Sequence, residues 1–176
     1  MDEIELVERA RRGDERSFAL LVRLHERSLF ATAYAIMRSE WDAADAVQDA
    51  LAEAYAKVGT LRNAGAFKAW LTRILVNRCY AVLRKRKHDV LTADPPEPEA
   101  HTYLGREEGL DLMRAVRSLD LEHREVIALR YFRDMKLTEI AEVLDCPLGT
   151  VKSRINRALG RLGSALGSNP LVEVAE

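Results

Sequence analysis

The chain is poor in the residues that cross-link or interrupt a fold. It has two cysteines, Cys79 and Cys146, far apart and in no CxxC pair. That count does not fit a disulfide framework and suits a reducing compartment. Of five prolines, none falls between residues 1 and 90, so nothing there breaks a long helix. Aromatics make up 6% of the chain, and small helical cores of Leu, Ile, Val and Ala fit that balance better than a sandwich or barrel. No apolar run approaches the roughly 18 residues of a membrane span. The first residues, Met1 to Glu5, are acidic, where a signal peptide is basic. A soluble, cytoplasmic protein is expected. His25, His88, His101 and His123 show no ligand spacing, and no nucleophile motif or phosphate loop occurs, so the chain does not read as an enzyme and implies no metal or cofactor.

What is present is apolar periodicity close to 3.6 residues, the mark of amphipathic helices. Three long helices are predicted in the first half, at 17–37, 42–58 and 66–87, with a loop at 59–65. Phe67 and Trp70 read as core anchors. Pro95, Pro96 and Pro98 stand together in an acidic stretch, which marks 91–106 as an interdomain linker. Shorter helices follow at 110–119, 122–133 and 138–144, and a longer one runs from Pro147 to about Leu166. The predicted fold is all-α: two small helical domains, at 1–90 and 107–168, joined by a flexible linker, with a frayed tail at 169–176.

Net charge is −1, so any attraction to nucleic acid must be local. The strongest local feature is a short helix, a tight turn and a longer helix over 137–162, the helix-turn-helix pattern. Ile140, Ala141 and Leu144 can pack on Val151, Ile155, Leu159 and Leu162. The remaining face of the second helix presents Thr150, Lys152, Ser153, Arg154, Asn156, Arg157 and Arg161, and no acidic residue occurs from Cys146 to Val172. Arg and Asn can pair bidentately with base edges, while Lys and Ser more often hold phosphates. An ordinary solvated basic face is the plain alternative, and the adjoining helix-turn-helix spacing argues against it. A second basic feature, Arg73, Arg78 and the run Arg84–Lys87, would add salt-dependent affinity near a DNA backbone, and Asn77 lies on the same helix. A third, the stripe Asp45, Gln48 and Asp49, is either a solvated face or a protein-binding one. No histidine or cysteine accompanies it to suggest a metal or acid–base pair.

Three segments carry a resemblance to a known family: DAADAVQDAL at 42–51, AFKAWLTRILVN at 66–77 and EIAEVLDCPLGTVKSR at 139–154. Together, and in this order, they resemble the extracytoplasmic-function (ECF) sigma factors of the bacterial sigma-70 family. The resemblance implies a factor that directs promoter-specific initiation by core RNA polymerase and catalyses nothing itself. It implies that Asp45, Gln48 and Asp49 dock on the clamp helices of the largest polymerase subunit. It implies that Thr60, Leu61, Arg62 and Asn63 capture a base flipped from the minus-10 element, and that Arg73, Asn77, Arg84 and Lys85 belong to the surface reading that element. Thr150, Lys152, Ser153, Arg154, Asn156 and Arg157 would read the minus-35 element, in a domain that also meets the flap of the second-largest subunit. An anti-sigma factor, often membrane-anchored in this family, is an implied partner, and the free protein would be a monomer. Three positions depart from the family pattern: Asp49 where Glu is usual, Asp120 where Pro is common, and Lys136 in place of a capping Ser.

Two other readings compete. A stand-alone helix-turn-helix regulator would leave residues 1–87 unexplained. A sigma mimic that only sequesters an anti-sigma factor would be expected to lose the basic groove face.

Overall fold

The fold, taken from a computed structural model, is described for residues 2–89 and 107–166. The described residues form eight α-helices and no strand: α1 (Glu3–Arg11), α2 (Glu15–Met37), α3 (Glu40–Lys57), α4 (Phe67–Asp89), α5 (Glu107–Ser118), α6 (Leu121–Ile127), α7 (Leu137–Leu144) and α8 (Leu148–Leu166). The all-helical expectation holds. The expected linker at 91–106 and tail at 169–176 lie outside the described residues.

Side chains set the helix starts. Asp2 Oδ1 accepts from the Glu5 N–H at 2.8 Å, Asp14 Oδ1 from Arg16 and Ser17, and the Ser39 hydroxyl from Asp42. Each satisfies a donor that a helix N-terminus otherwise leaves open. α1 was not expected from the sequence, because its nine residues offer only Leu6, Val7 and Ala10 as a buried stripe. It is held by its caps and by packing against α2. The expected loop at 59–65 contains two 3₁₀ turns, Val58–Thr60 and Ala64–Ala66. Lys136 has no acceptor to cap α7. Instead the Glu139 carboxylate reaches back to the Lys136 N–H at 2.7 Å, half of a capping box.

The predicted helix at 122–133 is shorter and changes pitch. After Ile127 the chain widens into a π-helical turn, Ala128–Phe132. Asp145, at φ 50°, closes α7 in the left-handed region, where Asp is better tolerated than most residues. Pro147 then precedes α8.

Helices α1–α4 pack around α2, and α5–α8 pack around α8. The two groups also touch: α2 meets α5, α6 and the π turn, and α4 meets α7. Buried apolar side chains run continuously through both, from Leu21, Leu29, Ile36, Phe67 and Leu75 to Leu129, Met135, Ile140 and Leu162.

Candidate nucleic-acid interface

The second helix of the helix-turn-helix, α8, is amphipathic. Val151, Ile155, Ala158, Leu159 and Leu162 are buried, while Lys152, Ser153, Asn156 and Arg157 are exposed side by side. Thr150 is half-buried, and its carbonyl accepts from the Ser153 hydroxyl at 3.1 Å. The expected basic–polar face of α8 is therefore exposed, with one exception. Arg154 turns into the protein. Its guanidinium lies 3.1 Å from Glu122 Oε2 and 3.3 Å from Glu125 Oε1. Glu125 is itself buried, at 4% exposure, and burial pushes its carboxyl up from the usual value while Tyr80 and Arg154 pull it down. A buried carboxylate needs such partners. Arg154 is thus spent on an internal ion pair.

A second surface lies on α4, where Arg73, Asn77, Arg84 and Lys85 are all exposed. Their positions fall within a helical stripe. Two other cations of the same helix are engaged internally: Arg78 pairs with Glu53, and Arg86 with Asp42. Beyond the N-terminus of α4, Arg62 and Asn63 are exposed, and Asn63 Oδ1 accepts from the Gly65 N–H at 2.9 Å. Thr60 is exposed, its hydroxyl donating to the Lys57 carbonyl at 2.7 Å. Leu61 does not join them. At 7% exposure it is part of the core and anchors the loop from beneath. Phe67 is a core residue, as expected, and Trp70 is half-buried against it at 5.8 Å between ring centroids.

The third surface is the outer face of α3. Asp45, Gln48 and Asp49 are exposed. Helical spacing adds Trp41 to the same face, and it is 71% exposed. The sequence pattern hid Trp41, because a tryptophan near a helix start reads as a core residue unless its register is followed.

Comparison with known families now decides the assignment. Residues 21–88 match the model "Sigma-70 region 2", and residues 115–163 match "Sigma-70, region 4". The chain belongs to the sigma-70 family. More particularly, it is an ECF sigma factor. It is 35% identical over 156 residues to the ECF RNA polymerase sigma factor SigM of Mycobacterium tuberculosis, covering 88% of this chain and 80% of that one. It is 32% identical to the RNA polymerase sigma-H factor of Pseudomonas aeruginosa, covering 97% and 96%, and 34% identical to the ECF RNA polymerase sigma-E factor of Escherichia coli, covering 87% and 88%.

Two solved structures resemble this sigma factor throughout. The sigma factor RpoE of Bartonella quintana, in complex with the anti-sigma factor NepR, superposes with a TM-score of 0.75 at 29% identity, covering 86% of this chain and 98% of that one. CnrH, in complex with the cytosolic domain of CnrY, superposes at 0.71 with 28% identity, covering 94% and 97%. The surfaces on α4 and α8 fall in the two matched regions, one in each.

Proposed function

We propose that this sigma factor joins core RNA polymerase in the cytoplasm, carries it to promoters bearing two recognition elements, and performs no catalysis of its own. The observation that carries this reading is the pairing of two exposed basic–polar faces, Lys152–Ser153–Asn156–Arg157 on α8 and Arg73–Asn77–Arg84–Lys85 on α4, within a chain of net charge near zero. In this reading residues 1–90 contact the minus-10 element and residues 107–168 the minus-35 element. Asn156 and Arg157 pair with base edges, and Lys152 and Ser153 hold phosphates. Thr60, Arg62 and Asn63 surround a base flipped from the minus-10 element, and capture of that base helps to offset the cost of unstacking it.

The face Trp41, Asp45, Gln48 and Asp49 docks on the clamp helices of the largest subunit, and the C-terminal helices meet the flap of the second-largest. Each reader alone contacts few bases and binds weakly. Joined in one chain and held at the right span by polymerase, the two gain effective concentration. An anti-sigma factor, soluble or membrane-anchored, is proposed as the negative regulator, because the solved relative RpoE of Bartonella quintana is bound to the anti-sigma factor NepR. Co-expression with the neighbouring reading frame followed by a pull-down tests that partner.

The deciding experiment is reconstituted transcription, with purified protein, sigma-free core polymerase and a library of supercoiled templates. The expected result is a set of transcripts that require both components, with start sites sharing two upstream elements. Tight sequence-specific binding by the protein alone, without polymerase association, would replace this reading with that of a stand-alone regulator.

A further inference from the structure

Helices α3 and α4 do different work in the reading above, and they pack directly against each other. α3 turns Trp41, Asp45, Gln48 and Asp49 outward, and α4 exposes Arg73, Asn77, Arg84 and Lys85. The contact between the helices fixes one face relative to the other. The buried positions of α3, which packs on both α2 and α4, are Ala43, Ala46, Val47, Ala50 and Ala54. Alanine side chains let helices approach closely, but they make shallow ridges with little to interdigitate. Apolar contact alone therefore resists a slide or roll of α3 only weakly.

Two ion pairs cross the same contact. Arg78 of α4 reaches Glu53 of α3: its Nε donates to Oε2 at 2.7 Å, and its Nη2 donates to the same oxygen. Arg86 of α4 pairs with Asp42 of α3. The carboxylates are the sheltered partners, with side-chain exposures of 19% at Glu53 and 21% at Asp42 against 42% at either arginine. That shelter reduces screening by salt. Glu53 is braced again from its own helix, where Lys57 Nζ donates to Oε1 at 2.6 Å. Both carboxylate oxygens are thus engaged, and Lys57, first, and Arg78, second, hold the group below its ordinary range.

The placement of the pairs gives them leverage. At about 1.5 Å per residue, Asp42 and Glu53 stand about 16 Å apart along α3, and Arg86 and Arg78 about 12 Å apart along α4. A single pin between two helices leaves a pivot. Two pins at this separation, wider than a helix of about 10 Å diameter, stop both pivoting and sliding. Each member also adjoins a residue of a candidate face. Asp42 follows Trp41 and lies one turn before Asp45, and Glu53 lies one turn after Asp49. Arg78 follows Asn77, and Arg86 follows Lys85. Slippage at either pin would displace a docking residue relative to a reading residue.

As stabilising contacts, pairs this exposed are minor. As alignment they can matter far more, since a misplacement of about 1 Å can cost about 100-fold in rate. We propose that Glu53–Arg78 and Asp42–Arg86 are positioning pairs, holding the polymerase-docking face of α3 and the promoter-reading face of α4 in the register that lets bound polymerase open the minus-10 element. The inference rests on the reading of the previous section. The four side chains act through their neighbours Trp41, Asp49, Asn77 and Lys85. A competing use of the same contact, in which the two acids only neutralise arginines that would otherwise bind DNA phosphates, predicts effects of opposite sign.

Open-complex formation by reconstituted holoenzyme, on a promoter recovered from the template library, separates the two. Initial binding and the opening rate at saturating DNA are measured apart, together with affinity for core polymerase and the denaturation midpoint. Glu53→Gln keeps the shape of the side chain. It is expected to leave the midpoint, core affinity and initial binding nearly unchanged and to slow opening about tenfold. Arg78→Met is expected to slow opening by the same factor, and the double variant by no more than either alone, because the pair acts as a unit. Asp42→Asn is expected to act in the same direction. Tighter binding or faster opening by Glu53→Gln, with Arg78→Met changed in the opposite sense and the two effects adding, overturns the positioning role in favour of charge neutralisation. Losses that track a lowered midpoint, or that appear equally in core affinity, overturn it in favour of ordinary packing. Unaltered opening in every variant overturns it outright. A wild type that neither binds core polymerase nor opens any promoter removes the sigma reading and the positioning role with it.

Discussion

The Arg154 guanidinium lies 3.3 Å from Glu125 and 3.1 Å from Glu122, so a cation that the sequence places on the exposed basic face fastens α8 to α6 instead. Arg154→Ala leaves the buried Glu125 carboxylate with Tyr80 alone. The expected cost is about 1–3 kcal/mol of stability, seen as a lower denaturation midpoint. Affinity should fall by a similar factor on promoter and unrelated DNA. A loss confined to the promoter, with an unchanged midpoint, would return Arg154 to the reading face.

Arg157 and Asn156 should behave in the opposite way. Alanine at either position is expected to cost about 1–3 kcal/mol of holoenzyme affinity at one promoter position. The midpoint should move by no more than about 0.5 kcal/mol. Lys152→Ala should weaken binding evenly across sequences and reduce the salt slope by about one. Titrations at several salt concentrations separate the two classes.

The α3 face gives a third test. Asp45→Lys combined with Asp49→Lys, or Trp41→Ala alone, is expected to lower affinity for core polymerase at least about tenfold, because interface energy concentrates in a few residues and aromatic anchors are prominent among them. All three side chains are exposed, so the thermal transition should be retained. A fluorescence titration with core enzyme measures the loss, and unaltered affinity would move the docking surface elsewhere.

His25 supplies a pH dependence of definite sign. Burial, first, and the charge of Arg133, second, hold its pKa below the ordinary 6.5, with Lys68 adding to the shift and Glu3 opposing it. Below 6.5 the unfolded chain therefore binds more protons at this site than the folded one. Stability from the neutral ring is complete above 6.5 and is lost as pH falls toward the native value. A protonated Nδ1 would also face Arg133 with a second donor. The melting temperature of wild type should drop more steeply than that of His25→Gln between about pH 7 and pH 5.5. Parallel curves would show that His25 titrates alike in both states.

Much of this molecule was readable from periodicity. The apolar stripes of α2, α3, α4 and α8 are long enough to register, and the acid-free second helix beside a short first one located the exposed basic–polar face of α8. What escaped depends on partners distant in the chain. Arg154 and Arg157 are both basic, three residues apart on α8, and only Glu122 and Glu125 on another helix decide which turns inward. Leu61 sits in a short polar loop, and its burial follows from how that loop folds onto the core. Arg133 reads as an ordinary surface arginine, and its acceptors come from α2 and α4. α1 is too short for its three buried residues to form a pattern. Local periodicity reports which face of a helix is apolar, and it is silent on which polar residues meet across a fold.

The wide turn at Ala128–Phe132 has a genetic consequence. A π turn holds one residue more than the α-helix it interrupts, so a single-codon deletion there is absorbed by a return to regular pitch and keeps Arg133 on the side that faces Ser28 and Thr72. Neither Asn77 nor Arg157 would change. Chain length can thus change at this turn between lineages without moving either basic face, and a chain lacking Tyr131 is expected to keep its helical circular dichroism.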